Sequence, residues 1–147
     1  MDEKLKKDIK IELDNLRRLI IEMRALRERI SKELDFVVTR AAGSILHDFY
    51  CGVEKVFERI AINVDNDMPK GEDWHIKLLN QMAQSKKDRE AVIDTAFLQY
   101  LKEYLRFRHL FRNIYGFELK CEKIMPLCLR LDDVYNKLKI FLDEFLK

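Results

Sequence analysis

Glycine and proline are scarce in this chain, four of the first and two of the second among 147 residues. So few turn-forming residues leave little with which to build hairpins, and a β architecture is excluded on that ground. Cysteine is scarce as well. Cys51, Cys121 and Cys128 are odd in number and lack paired spacing, which argues against a disulfide framework or a zinc site. Cys121 and Cys128 lie seven apart, two helical turns, and read as buried thiols on one stripe. An excess of one charge is also missing. Lysine and arginine number 28 against 26 acids, a net +2, too little to make the whole chain a nucleic-acid binder. Any such interaction has to come from local clustering. No apolar run is long enough to cross a membrane, and no apolar stretch follows the basic residues of Met1-Asp2-Glu3-Lys4-Leu5-Lys6-Lys7. A signal peptide is therefore not expected, and the expected location is the cytoplasm.

What is present is a mixture of apolar residues (48%) and charge (37%), the composition of amphipathic helices with one packed stripe and one solvated face. The length suits one domain over 1–147, and the fold expected is all-α, an up-and-down bundle of four to five helices. Leu5, Ile9, Leu13, Leu16, Ile20, Met23, Leu26 and Ile30 recur at steps of three and four, one face of a first helix. Arg17, Arg18, Arg24 and Arg27 fill the other face, which is either a solvated surface or the flank of a heptad-like seam for a partner helix. Ile45, Phe49, Val53, Val56 and Ile60 form the spine of a second helix. One straight helix over 3–64 would run about 90 Å, too long for this domain, so a break is expected between Ser31 and Ala41. Ala41, Ala42 and Gly43 make a small-residue patch suited to close approach of another backbone.

Asn63 to Asp73 reads as a loop, with Asp73 as N-cap of a short helix carrying Trp74, His75, Leu78, Leu79 and Met82. Ser85 to Asp88 marks a further turn. Asp88 is expected to cap a long helix to about Tyr115, with Gly116 as the left-handed residue ending it. Two terminal helices should follow, the first kinked or ended by Pro126 and the last begun by Asp132 or Asp133.

One stretch carries chemistry: Arg106-Phe107-Arg108-His109-Leu110-Phe111-Arg112-Asn113-Ile114-Tyr115. On a helical wheel Phe107, Leu110, Phe111 and Ile114 fall on the buried side, while Arg106, Arg108, His109, Arg112 and Asn113 sweep the other. Tyr115 falls at the edge beside Arg108. Guanidinium groups hold phosphate oxygens bidentately and imidazole moves protons near neutral pH, so the surface is either a phosphate site or a solvated basic face. Glu54 shares a side with Tyr50 and either orients an arginine across the bundle or is an ordinary surface acid. His47 and His75 read as satisfied helix residues. No two histidines stand at i, i+4 and no glycine-rich phosphate loop occurs, so neither a metal nor another cofactor is expected.

The same stretch resembles the signature of the HEPN superfamily, whose ribonucleases carry Arg-x4-His with a polar residue after the arginine, extended in HepT toxins to Arg-x4-His-x-Tyr. Arg108 matches the arginine, His109 the polar follower and Tyr115 the tyrosine, while Asn113 stands where the histidine belongs. Leu46-His47-Asp48-Phe49-Tyr50-Cys51-Gly52-Val53-Glu54, then Trp74-His75 with Leu78-Leu79, then Tyr115-Gly116-Phe117-Glu118-Leu119 extend the likeness over about 40–125. The resemblance implies a metal-independent RNA endonuclease acting as a two-fold homodimer. It also implies a nucleotidyltransferase-type antitoxin partner that adenylylates the motif tyrosine, here Tyr115. Asparagine takes up no proton at physiological pH, so His109 would have to replace Asn113, with Arg108 and Arg112 stabilising charge and Arg106 adding to RNA contact. The alternative is a non-catalytic HEPN module that binds RNA, nucleotide or a protein partner. Arg108 and Asn113 stand about 140° apart on a regular helix, so a shared site needs a distorted helix end or a second subunit.

Overall fold

The computed structural model describes residues 2–32 and 36–147. Five α-helices make up the described chain: α1 (Glu3–Lys32), α2 (Phe36–Ile60), α3 (Trp74–Met82), α4 (Thr95–Asn113) and α5 (Cys121–Phe145). The fold is all-α, as expected. The first apolar stripe is buried from Leu5 to Leu26, and the side chain of Ile30 lies outside the described part. The break expected between Ser31 and Ala41 takes in 33–35, which lie outside the described residues; α1 is described to Lys32 and α2 from Phe36.

Helix α2 is the centre of the bundle, because its apolar residues cover two adjacent stripes rather than one. Leu46, Phe49, Val53, Val56, Phe57 and Ile60 are all fully buried. One side receives α1 in antiparallel register, where Arg59 reaches Asp8 at 3.1 Å and Leu16 packs so closely on Gly52 that a Cβ there would meet it at 2.6 Å. The other side receives α4, with Phe49 and Tyr104 rings 5.7 Å apart. The small patch accepts side chains and not a backbone, since Leu119 and Phe111 fill the space beside Gly43. Helix α5 closes the bundle antiparallel to α4: Tyr104 donates to the Leu127 carbonyl and Phe97 meets Phe141.

Several boundaries differ from the sequence reading. Asp94, not Asp88, caps α4, its carboxylate accepting from the Phe97 amide at 2.7 Å. Residues after Asp88 are held out of the helix because Val92 and Ile93 are buried and their amides both donate to the Met82 carbonyl. Pro126 does not end a helix. It sits near the start of a continuous α5, where its missing N–H forfeits one hydrogen bond while buried Ile124, Cys128 and Leu131 hold the helix on the core. Asp132 therefore lies within α5 and starts nothing; it pairs with Arg24 at 2.8 Å and with Arg27, which takes both arginines out of a purely solvated face. Cys128 is buried and Cys121 only partly so. Helix α2 also outlasts its expected end, passing through a π-helical turn over Ala61–Asp65 before Asn66 reverses the chain in the left-handed conformation.

That turn places Asp65 in the interior, against Arg89. The pair is bidentate, at 2.6 and 2.8 Å, and both side chains are almost wholly buried. Gln81 adds a donor to Asp65, and Arg89 also donates to the Gln81, Gln84 and Glu90 carbonyls. The network ties the end of α2 to the end of α3 and so fixes α3 across the bundle. Burial alone would push the Asp65 carboxyl up, but hydrogen bonds from Arg89 and Gln81 hold it below the usual carboxylate range. Asp65→Ala leaves a buried guanidinium without its counter-charge, and urea unfolding is expected to register a loss of about 3–5 kcal/mol. A depressed carboxylate contributes stability above the ordinary aspartate range and loses it as pH falls. The gap between wild type and variant should therefore narrow below about pH 4.

Candidate functional site

The inner face of α4 is turned by about one residue from the wheel expected of it. Leu98, Leu101, Tyr104 and Phe107 are buried, whereas Leu110, expected inside, is half exposed. Arg108, one helical turn beyond Tyr104, consequently points toward α2 instead of outward, and only 13% of its side chain is exposed. It meets the carboxylate of Glu54, which is itself buried. The Glu54 environment is thus the interior of the bundle and not the surface. A charge in that position needs compensation, because a carboxylate moved out of water costs several kcal/mol unless paired and hydrogen-bonded.

Two groups supply it, one to each oxygen. Arg108 Nη2 lies 3.7 Å from Oε1 and His75 Nδ1 lies 2.7 Å from Oε2. The second contact is a full hydrogen bond; the first is an ion pair at longer range. The Arg108 Nε–H is buried with no hydrogen-bond partner, so this guanidinium keeps unspent donor capacity. Tyr50, one turn before Glu54 on α2, is buried, and burial followed by the Glu54 charge pushes its phenol well above the ordinary tyrosine value. It stays a neutral wall of the site. Trp74 lies over the His75 ring at 3.7 Å and limits its movement. Helix α3 begins at Trp74 as expected, but Asp73 makes no capping bond and its carboxylate goes to Lys77 at 3.1 Å.

From this buried cluster a groove of about 580 Å³ opens between the start of α3 and the second half of α4. Arg106, Arg108, His109 and His75 line it with Ile76, Leu105 and Leu110, and so do the acids Glu72 and Asp73. Arg106 is exposed and makes no ion pair among the described residues. Cationic groups beside an apolar floor suit a ligand with both a phosphate and a ring.

The other motif residues lie elsewhere. Helix α4 ends at Asn113, whose amide donates to the His109 carbonyl at 2.7 Å and whose side chain is exposed. Ile114 is extended, so the wheel that set Tyr115 beside Arg108 does not continue. Tyr115 is 70% exposed and stacks on Phe117 at 5.3 Å. Arg112 is exposed in the last turn of α4. Gly116 has no left-handed φ; it opens a 3-10 turn, and its missing side chain is where the Arg40 guanidinium packs, 2.7 Å from a would-be Cβ. Sequence reasoning missed Arg40 and the place of His75. The one available signal was Glu54 itself, an acid at a core-facing position among Tyr50, Val53 and Phe57 that has to find partners across the core.

Glu58 lies one turn further along α2. Burial and the Glu54 charge push its carboxyl above the usual range, while His75 and Arg108 pull the other way without prevailing. A raised carboxyl costs stability once it ionises, so Glu58→Gln should melt higher than wild type at neutral pH. The advantage should vanish below about pH 4, where glutamate is protonated folded and unfolded alike. Thermal denaturation across pH checks this.

A family model described as HepT-like protein matches residues 41–147, most of α2 and everything after it. No curated protein and no solved structure gives a match. The matched region contains Glu54, His75, the Arg108 groove and the Asn113–Tyr115 corner, in a bundle whose long α4 ends on the motif. This chain belongs to the HepT-like family of the HEPN superfamily.

Proposed function

We propose that the 1–147 chain works as one RNA-directed unit, a toxin-type ribonuclease of the cytoplasm. In this reading it acts as a homodimer and is restrained by a nucleotidyltransferase-type partner. The observation that carries this reading is the Arg108 guanidinium, buried on Glu54 with its Nε–H unsatisfied at the foot of a groove that also holds Arg106 and His109. Arg108 Nε is itself sealed from solvent, so an anionic ligand would meet the part of the guanidinium side chain that stays exposed in the groove, together with Arg106. RNA phosphate fits it, with a base against Ile76, Leu105 and Leu110. Arg108 then stabilises the negative charge that grows on phosphorus during cleavage. Among the described residues no helix is long and apolar enough to cross a membrane.

The dimer brings together what one protomer holds apart. Asn113, Arg112 and Tyr115 face outward at the end of α4, and exposed Phe36, Val37, Tyr115 and Phe117 give that end of the bundle apolar surface for a second copy. Tyr115 is open to modification, and Arg40, packed on the adjacent Gly116, is placed to receive the phosphate of an adenylyl group.

A second reading, a module that binds RNA without cleaving it, is favoured by Asn113, whose amide N–H is spent on the His109 carbonyl and which neither takes up nor releases a proton at neutral pH. The two separate in one assay. Wild-type protein with labelled tRNA and a structured RNA in EDTA is expected to yield defined fragments, and Arg108→Ala to cleave more than about 100-fold more slowly. Intact RNA that is nonetheless bound by wild type favours the second reading. For Tyr115, incubation with the partner nucleotidyltransferase and ATP should add adenylyl mass to the peptide containing it, absent in Tyr115→Phe, and stop cleavage.

A further inference from the structure

We propose that His75, on α3 and outside the family motif, is the proton acceptor of this site, taking the role that Asn113 cannot fill. The inference rests on the RNA-cleaving reading above and names the residue that reading lacks. A carboxylate oxygen only accepts, so the 2.7 Å contact to Glu54 Oε2 puts the hydrogen of the neutral ring on Nδ1. The lone pair is then on Nε2, which no hydrogen bond engages among the described residues, and 22% of the side chain remains exposed in the groove. Glu54 thereby does two things: it fixes the tautomer and offsets the charge of the imidazolium that forms. Base, orienting carboxylate and cation meet at one point, since the same Glu54 carboxylate contacts Arg108.

His109 is the competing candidate, and its surroundings are poorer. It is exposed and its ring has neither an ion pair nor a hydrogen bond among the described residues, so nothing holds its tautomer or orientation. His75 is held by Glu54 on one atom and by Trp74 on its face, and the Asp65–Arg89–Gln81 network anchors the far end of its helix. Preorganisation of that kind is what a general base requires.

The step balances within the substrate. Nε2 of His75 takes the proton of a ribose 2′-hydroxyl, the 2′ oxygen bonds to the adjacent phosphorus, and the bond from phosphorus to the 5′ oxygen breaks. The imidazolium then returns its proton to the departing 5′ oxygen through water, leaving a cyclic phosphate and a 5′-hydroxyl. Arg108 faces the charge that accumulates on the non-bridging oxygens.

The test uses the full chain and a labelled single-stranded RNA, with affinity and single-turnover cleavage measured separately. His75→Gln is expected to keep measurable RNA binding through Arg106 and Arg108 and, once saturated, to cleave about 10²–10⁴-fold more slowly. His75→Ala should lose as much and regain part of the rate when free imidazole is added, which repair of a purely structural defect would not produce. Cleavage by His75→Gln at the wild-type rate overturns the proposal, as does loss in His75→Ala without rescue at retained affinity. A wild-type protein that binds this RNA and leaves it whole overturns the cleavage reading itself, and the role of His75 with it.

Discussion

The site of this protein is organised by one buried carboxylate. Glu54 lies in the most apolar helix of the bundle, on the buried face with Tyr50, Val53 and Phe57, where an unpaired negative charge would be untenable. Its needs dictate the surroundings: a guanidinium from α4 at one oxygen and an imidazole from α3 at the other. The three helices that meet there are secured by other means, α4 on α2 through Phe49 and Tyr104, and α3 through the Asp65–Arg89 network. Those contacts set the distances at which Glu54 is satisfied. A buried ion cluster of this kind contributes little net stability, since desolvation consumes most of the Coulombic gain. Its value lies in holding Arg108 and His75 in fixed positions at the foot of a groove.

How much of this was legible in the sequence follows from the range of the interactions. The stripe from Leu5 to Leu26 and the spine from Ile45 to Ile60 are local patterns of period 3.6, and both are buried as their spacing requires. The caps were less legible. Asp88 and Asp94 are chemically equal candidates, and the choice was made by Val92 and Ile93, whose burial and hydrogen bonds to Met82 are tertiary facts. Pro126 does not end its helix for a related reason: its lost hydrogen bond is outweighed by packing that no local rule counts. The orientation of α4 was off by about one residue, enough to set Arg108 on the wrong face. The pairing of Glu54 with His75, 21 residues apart on different helices, has no periodic signature.

The basic stretch of α4 stands out by its residue types before any likeness to HEPN proteins is drawn, and the structure divides that stretch in two. Arg106, Arg108 and His109 border the groove over Glu54, while Asn113 and Tyr115 occupy an exposed corner with Arg40 and Phe117. In a chain with the usual histidine the division would pose a problem of reach between protomers. Here the motif position holds asparagine, and a histidine already stands on the arginine's own carboxylate. In the function proposed above, the groove is the chemical site and the corner the place where a second copy or a modifying partner would act.

The central claim is that RNA phosphate enters at Arg108 and His75. Its most direct test is an NMR titration of labelled protein with a short single-stranded RNA, following the Arg108 Nε–H and the histidine ring resonances. The account predicts that the Arg108 Nε–H and the His75 ring shift strongly on saturation, while the His47 ring, packed against Phe111, stays put. RNA that saturates the protein and leaves both the Arg108 and His75 signals unmoved would contradict it.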